Sequence, residues 1–311
     1  KVMHKIYTNT YGNVTIDCPS EVEDGGSFAF KIATSTGAYR LGISQAGKNF
    51  RDFSWDDSQN ANVAKNITGT ILINVVEHTE IMIGEERYML EKCSAMLPPS
   101  QTQPTSSSIV LKSVVTAKGK HYSLNGYEGA YNTYANITSI TLPNDKFYIF
   151  PDAFSIQAGL TEIHAKAIDP KNYHIIEGAF GEKDLSGITL YVPAGSKADY
   201  AASAPWNQFK EILEEPLPKK YPVYVVGYGV ASTDAPDSIA RGQSLTVNIT
   251  LEPGFKSFEP SVITIPGEEV NKDVVIQVST YTENVLSGIS YSMSTTQENA
   301  FCHGFLDAPQ K

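Results

Sequence analysis

Between residues 137 and 214 a short text is written twice and then closed off, and nothing else in the chain limits its fold as strongly. The first copy reads Ile137-Thr138-Ser139-Ile140-Thr141-Leu142-Pro143 and continues to Phe150-Pro151-Asp152-Ala153-Phe154. The second reads Leu160-Thr161-Glu162-Ile163 and continues to Ile176-Glu177-Gly178-Ala179-Phe180. The period of about 23 to 26 residues leaves room for one short strand and one return segment per copy. Each strand turns its apolar residues inward (Ile137, Ile140 and Leu142, then Leu160 and Ile163), and each return adds an Ala-Phe pair to the same core. One unit alone cannot bury such a face, so units must stack and the stack needs an end. A third strand with Ile188, Leu190 and Val192, stopped by Pro193, is expected to supply it. A helix carrying Tyr200, Trp206 and Phe209 should follow, with Ser196 as its N-cap.

At Gly187-Ile188-Thr189-Leu190-Tyr191-Val192-Pro193-Ala194-Gly195-Ser196 and Trp206-Asn207-Gln208-Phe209, taken with the two repeats, the chain resembles the BspA-type leucine-rich repeats of bacterial surface proteins. The match covers roughly a quarter of the chain and offers about two units plus the cap. The resemblance implies attachment to host matrix or plasma proteins, on a cell surface.

The two ends of the chain also resemble each other. Laying Tyr11-Gly12 on Tyr228-Gly229 gives an offset of 228 − 11 = 217, which brings Asp17 to Asp234, Pro19 to Pro236, Gly25 to Gly242 and Ser27 to Ser244. Phe28, Phe30 and Ile32 then meet Leu245, Val247 and Ile249. Further on, Ile71 to Val75 meets Val274 to Val278 at 274 − 71 = 203, so the first copy holds about fourteen additional residues, placed between Arg40 and Thr68. Alternating apolar residues punctuated by Asp24-Gly25-Gly26 and Glu252-Pro253-Gly254 read as short strands and turns, the text of a β-sandwich. The pattern is similar to bacterial immunoglobulin-like modules, which implies stalks or spacers.

These readings give a mainly β chain with some α, divided into an immunoglobulin-like sandwich at 1–96, a linker at 97–108, the capped repeat module at 109–216 and a second sandwich at 217–311. The linker assignment rests on Leu97-Pro98-Pro99-Ser100-Gln101-Thr102-Gln103-Pro104 and the serines after it, which lack apolar periodicity. The second boundary, Glu215-Pro216-Leu217-Pro218, is short and stiff, so more freedom is expected at the first joint. At 311 residues the chain is long enough for such a division.

Charge narrows the partners. Lys and Arg number 24 against 34 Asp and Glu, a formal net charge of −10, which disfavours nucleic acid and anionic lipid. No run approaches the apolar length of a membrane-spanning helix. The family resemblance implies an exported chain, secreted or lipid-anchored at the outer surface, that starts after a removed signal. Cys18, Cys93 and Cys302 show no C-x-x-C spacing, which argues against a metal knuckle. They read as buried small hydrophobes, with a Cys18 to Cys93 bridge as the alternative in an oxidising compartment.

Candidate chemistry is sparse. Asp52, Asp56 and Asp57 beside Trp55 offer carboxylates for calcium but lack the spacing of a calcium loop, and read more simply as a solvated acidic loop with Trp55 tucked into the sandwich. His121, His164, His174 and His303 show no metal-ligand spacing. No G-x-S-x-G, phosphate-binding loop or dinucleotide fingerprint occurs. The expectation is therefore a protein without enzymatic activity or cofactor. Asp237-Ser238-Ile239 resembles an O-glycosylation site of exported bacterial proteins, which makes Ser238 a candidate for modification. The residues chosen for a binding face are Tyr127, Tyr131, Tyr134, Tyr148, Glu162, His164 and Tyr173, because tyrosine joins contact area to a hydroxyl with few rotatable bonds. The plain alternative is that many of these tyrosines cover the edge of the repeat core. The expected ligand is a host or bacterial surface protein, or a glycan; glycan capture or outer-membrane assembly, with Trp55 and tyrosines stacking on sugars, and a purely structural spacer are the rival roles.

Overall fold

A computed structural model describes residues 1–98, 101–131, 134–155 and 158–282. Cys302 and His303 lie outside the described residues. The fold is mainly β, and its strands close over three apolar cores.

The first unit contains β1 (Met3–Tyr11), β2 (Val14–Asp17), β3 (Glu21–Glu23), β4 (Gly26–Thr34), β5 (Tyr39–Gln45), β6 (Lys48–Asn49), β7 (Phe53–Asp56), β8 (Ala61–Ile67) and β9 (Ile71–Glu77). They form two sheets, β3-β1-β9-β5-β6 and β2-β4-β8-β7. The alternation of β4 turns Phe28 and Phe30 inward against Ile6, Ile43, Ile67, Ile71 and Ile73. Gly25 sits at φ +72 in the turn before β4, a conformation that glycine adopts without steric cost. The pairing of β1 with β9 is parallel, whereas β1 with β3 and β5 with β9 are antiparallel.

The middle unit begins earlier than expected. It includes β10 (Thr79–Ile83), β11 (Glu86–Glu91) and β12 (Ser94–Met96), then β13 (Ser108–Val110), β14 (Val114–Ala117), β15 (Lys120–Ser123) and β16 (Gly126–Tyr127). The repeats supply β17 (Ser139–Leu142), β18 (Phe147–Ile149), β19 (Glu162–Ala165) and β20 (Tyr173–Ile175), and the closing segment β21 (Thr189–Pro193), helix α1 (Lys197–Ala201) and β22 (Glu211–Glu215). Three sheets result: β10-β11-β12-β15-β14, the all-parallel β13-β17-β19-β21-β22, and the parallel β16-β18-β20. One core runs from Tyr88 to Phe209, so Tyr88, Leu90, Ala95 and Leu97 belong with the repeats, and the expected boundary at residue 96 falls inside this core. Nor does the segment 97–108 run free. Gln101 is buried, with its side chain bonded to the backbone of Arg87 and Pro98.

The end of the stack follows expectation in its residues and differs in its geometry. Tyr200, Trp206 and Phe209 are buried and mutually packed, with the Trp206 ring 5.6 Å from Tyr200 and 5.9 Å from Phe209. Only Tyr200 lies on α1, because Pro205 cannot extend the helix. Ser196 makes no capping bond; its hydroxyl is buried without a hydrogen-bond partner. The carboxylate of Glu214 instead accepts the N–H groups of Gly195 and Lys197 at 2.9 and 3.3 Å.

The third unit contains β23 (Lys220–Val226), β24 (Val230–Thr233), β25 (Ser238–Ala240), β26 (Leu245–Leu251), β27 (Phe255–Ser257), β28 (Val262–Ile265), β29 (Val274–Gln277) and β30 (Thr280–Thr282). Its sheets β25-β23-β29 and β24-β26-β28 retrace those of the first unit. The registers agree with the sequence offsets: Ile6 pairs with Ile71 and Val223 with Val274, where 223 − 6 = 217 and 274 − 71 = 203. Ile16 pairs with Ile32 and Thr233 with Ile249, again 217 apart. The surplus of the first unit is spent on β5 to β7, which extend both sheets.

The three units meet at one turn, Glu91-Lys92-Cys93. The Glu91 carboxylate, almost fully buried, pairs with Arg40 and with His78 at 2.8 Å. Lys92 Nζ lies 4.1 Å from the centre of the Tyr11 ring and 5.8 Å from that of Tyr228, and the two rings meet edge to face at 5.9 Å. These tyrosines are equivalent positions of the duplication. Cys93 packs with Val114 and Val226, and Cys18 is a free thiol, so the two are not bridged to each other. Charge pairs and aromatic packing thus cross the first joint.

Candidate functional site

The all-parallel sheet sets the residues of five strands in register across the repeats. Ile109, Ile140, Ile163, Leu190 and Ile212 occupy one register position and face the core, as alternation requires. Their neighbours face outward, and because the strands are parallel and in register these neighbours form rows. One row reads Val110, Thr141, His164, Tyr191 and Leu213. With adjacent strands about 4.8 Å apart, it extends about 19 Å across the sheet. Its ends are apolar and open, Val110 being 55% and Leu213 38% exposed. A second row, Ser108, Ser139, Glu162, Thr189 and Glu211, runs along one side.

At the middle of the stripe the His164 ring lies flat on Tyr191, with centroids 4.4 Å apart and planes within 6°. Its Nδ1 faces Glu215 Oε1 at 2.8 Å and its Nε2 faces Glu162 Oε2 at 3.6 Å. Lys166 pairs with the other oxygen of Glu215. Burial pushes the Glu215 carboxyl up, but the bonds from Lys166 and His164 outweigh it and hold the group below its ordinary range. The hydrogen bond of Nδ1 to Glu215 and the stacking on Tyr191 orient the ring as a flat shelf continuous with Tyr191.

The chosen residues divide on this geometry. Glu162 and His164 lie on the face. Tyr127, Tyr131 and Tyr173 do not: they are 1%, 2% and 4% exposed, and this excludes them from a binding surface. Their hydroxyls serve the core, Tyr131 donating to Glu86 at 3.0 Å and Tyr173 to the Pro143 carbonyl at 2.7 Å, while that of Tyr127 accepts the Tyr131 N–H. Burial raises all three phenols well above the ordinary tyrosine range. Tyr134 is half-buried and donates to the Gln101 carbonyl. Tyr148 is exposed but belongs to the other parallel sheet, where it stacks on His174 at 4.7 Å. Reading the repeats for tyrosine missed Val110, Thr141, Tyr191 and Leu213; their signal was register, each being the residue after a core position.

Elsewhere, Trp55 is 54% exposed instead of tucked into the first core. Its indole N–H donates to Asp57 at 2.8 Å, which satisfies its polar edge outside the core. Asp52 accepts from Asn66 and Asp56 from Ser58 and Gln59. Among the described residues no group of three or more His, Cys, Asp or Glu is disposed to hold a metal, and no helix is long and apolar enough to cross a membrane. His121 packs edge-on against Tyr224, and burial lowers its pKa. Ser238 is exposed on β25. Compared with known proteins, the chain matches no family model, no curated protein and no solved structure.

Proposed function

We propose that this is a non-enzymatic, exported surface protein in which two immunoglobulin-like sandwiches bracket a short, capped leucine-rich-repeat module of the BspA type, and that the module binds a partner protein through the outward face of its parallel sheet. The observation that carries this reading is the stripe from Val110 to Leu213. It is a partly apolar row with the stacked His164 and Tyr191 rings at its centre and carboxylates alongside. Aromatic side chains held in place lose little entropy on binding and are common anchors of interfaces. The recurrence of the inward positions 140, 163, 190 and 212 every 22 to 27 residues or so agrees with a leucine-rich array. Recognition would be non-covalent and without a cofactor. Export and a lipid anchor rest on the family resemblance alone.

The test is saturable binding of the intact chain to arrays of host matrix and plasma proteins and of glycans. A Tyr191→Ala, Leu213→Ser double variant is expected to weaken protein binding by at least about tenfold, or 1.4 kcal/mol, and Trp55→Ala to leave it unchanged. A second reading, glycan capture, is favoured by the exposed and immobilised Trp55. Glycan binding abolished by Trp55→Ala and indifferent to the sheet variant would replace the first reading with the second. Silence on both arrays would favour a structural spacer.

A further inference from the structure

The duplicated units differ in how their sheets end. In the first, β8 pairs with β4 on one side and with β7 on the other, Phe53 lying opposite Ala64 and Trp55 opposite Asn62. Phe53 reaches the core and packs at 6.4 Å on Phe30. In the third unit β28 takes the place of β8: Phe28 pairs with Ala64 and Phe30 with Asn62, while their equivalents Leu245 and Val247 pair with Ile265 and Ile263. No counterpart of β7 stands beside β28 among the described residues. The consequence shows in burial. The part of β8 that β7 covers, Ala61 to Ala64, is buried throughout, whereas β28 alternates exposed and half-buried, with Val262 48% exposed.

An edge strand displays a row of unpaired N–H and C=O groups, and proteins usually blunt such edges with charge. The outer strand of the repeat sheet, β22, carries Glu211, Glu214 and Glu215. By contrast β28 reads Val-Ile-Thr-Ile without a charge, and Pro260 and Pro266 bound it so that only a short partner fits. We propose that β28 is an acceptor edge, and that the third unit binds an extended segment of another polypeptide as an added antiparallel strand. The first unit specifies the chemistry of that segment: four or so residues without proline, with a large apolar side chain at the position that Phe53 holds beside β8. Backbone pairing would supply affinity and the inward side chain at the Phe53 position specificity, as in strand-addition complexes.

The probe is a peptide copying the chain's own residues 51–58, added at up to millimolar concentration to the intact protein, with amide hydrogen exchange read over residues 258–267. Exchange at Val262 to Ile265 is expected to slow several-fold with this peptide and to remain unchanged with the same peptide carrying Ser54→Pro. Two results would overturn the proposal: exchange unaltered by the unmodified peptide, or amides of β28 that already exchange as slowly in the free chain as those of β8, which would mean that the edge is covered from within. Neither result bears on the stripe of the repeat sheet.

Discussion

Lys92 is the residue on which the arrangement of the three units turns, and its position generates a signed prediction. Burial pushes its amine down to about 8 from the ordinary 10.5, opposed by attraction of the cation to the Tyr11 and Tyr228 rings. A lysine depressed in the folded state binds fewer protons there than in the unfolded chain between these two values. Stability therefore rises as pH climbs from about 8 to 10.5, and the full cost of burying the charge is present below 8. Lys92→Met keeps the apolar stem without the charge. The variant should be more stable than the parent at pH 7, by an amount on the order of 1 to 3 kcal/mol, and the advantage should shrink toward pH 10.5. Denaturation midpoints of both proteins at pH 7, 9 and 10.5 check this, and a difference that does not vary with pH would show that the amine is not desolvated. None of this was legible in the sequence, where Lys92 is one cation among 24. Tyr11 and Tyr228 were visible as equivalent positions of a duplication, but equivalence says nothing of contact.

At the scale of elements the text was clearest where hydrophobic period and packing demand agree. The residues of β17, β19 and β21 were readable because their apolar side chains alternate at a fixed repeat, and the duplication was readable as residue offsets that the strand pairs of both units keep, though not the pairings themselves. Side chains at the ends of elements were not, since their fate depends on what the chain brings beside them. Ser196 has the composition of a cap, yet Glu214 from the next strand takes the backbone N–H groups; Tyr127, Tyr131 and Tyr173 have the composition of an interface and fill the core. Gly159, just before β19, states the constraint on the repeat most sharply. A Cβ there would lie 2.1 Å from the Ala135 carbonyl oxygen, so successive turns touch backbone to backbone. Gly159→Ala should destabilise the protein by about 3 kcal/mol or more, whereas Gly187→Ala, whose Cβ meets nothing within 4 Å, should stay within about 0.5 kcal/mol of the parent. Thermal unfolding of the two variants separates them, and equal losses would mean that the contact between turns relaxes freely.

For the whole molecule, the cores rather than the linker-like text decide where the units divide. Proline, serine and threonine between residues 97 and 108 suggested a boundary there, but composition reports only that a segment forms no regular element, not whether it is packed. The strands β10 to β12 lie upstream of that segment and nevertheless contribute Tyr88, Leu90 and Ala95 to the core of the repeats, and Leu97, the segment's first residue, joins them. Their sheet continues through a single parallel contact, Ser94 with Ser123, into β15 and β14. A fragment of residues 109–216 would lack Tyr88, Leu90, Ala95 and Leu97 and so open the core they share with the repeats, and a fragment of residues 79–216 would keep them. A stack of repeated units needs both ends closed because a terminal unit otherwise presents its apolar face to water. The longer fragment is expected to unfold in one cooperative transition. The shorter one should bind a hydrophobic dye and melt broadly, as a chain with secondary structure but loosened packing does. Cooperative melting of the shorter fragment at the temperature of the longer would place the boundary at residue 108 after all, and would make β10 to β12 an ornament of the first joint instead of the first cap of the repeats.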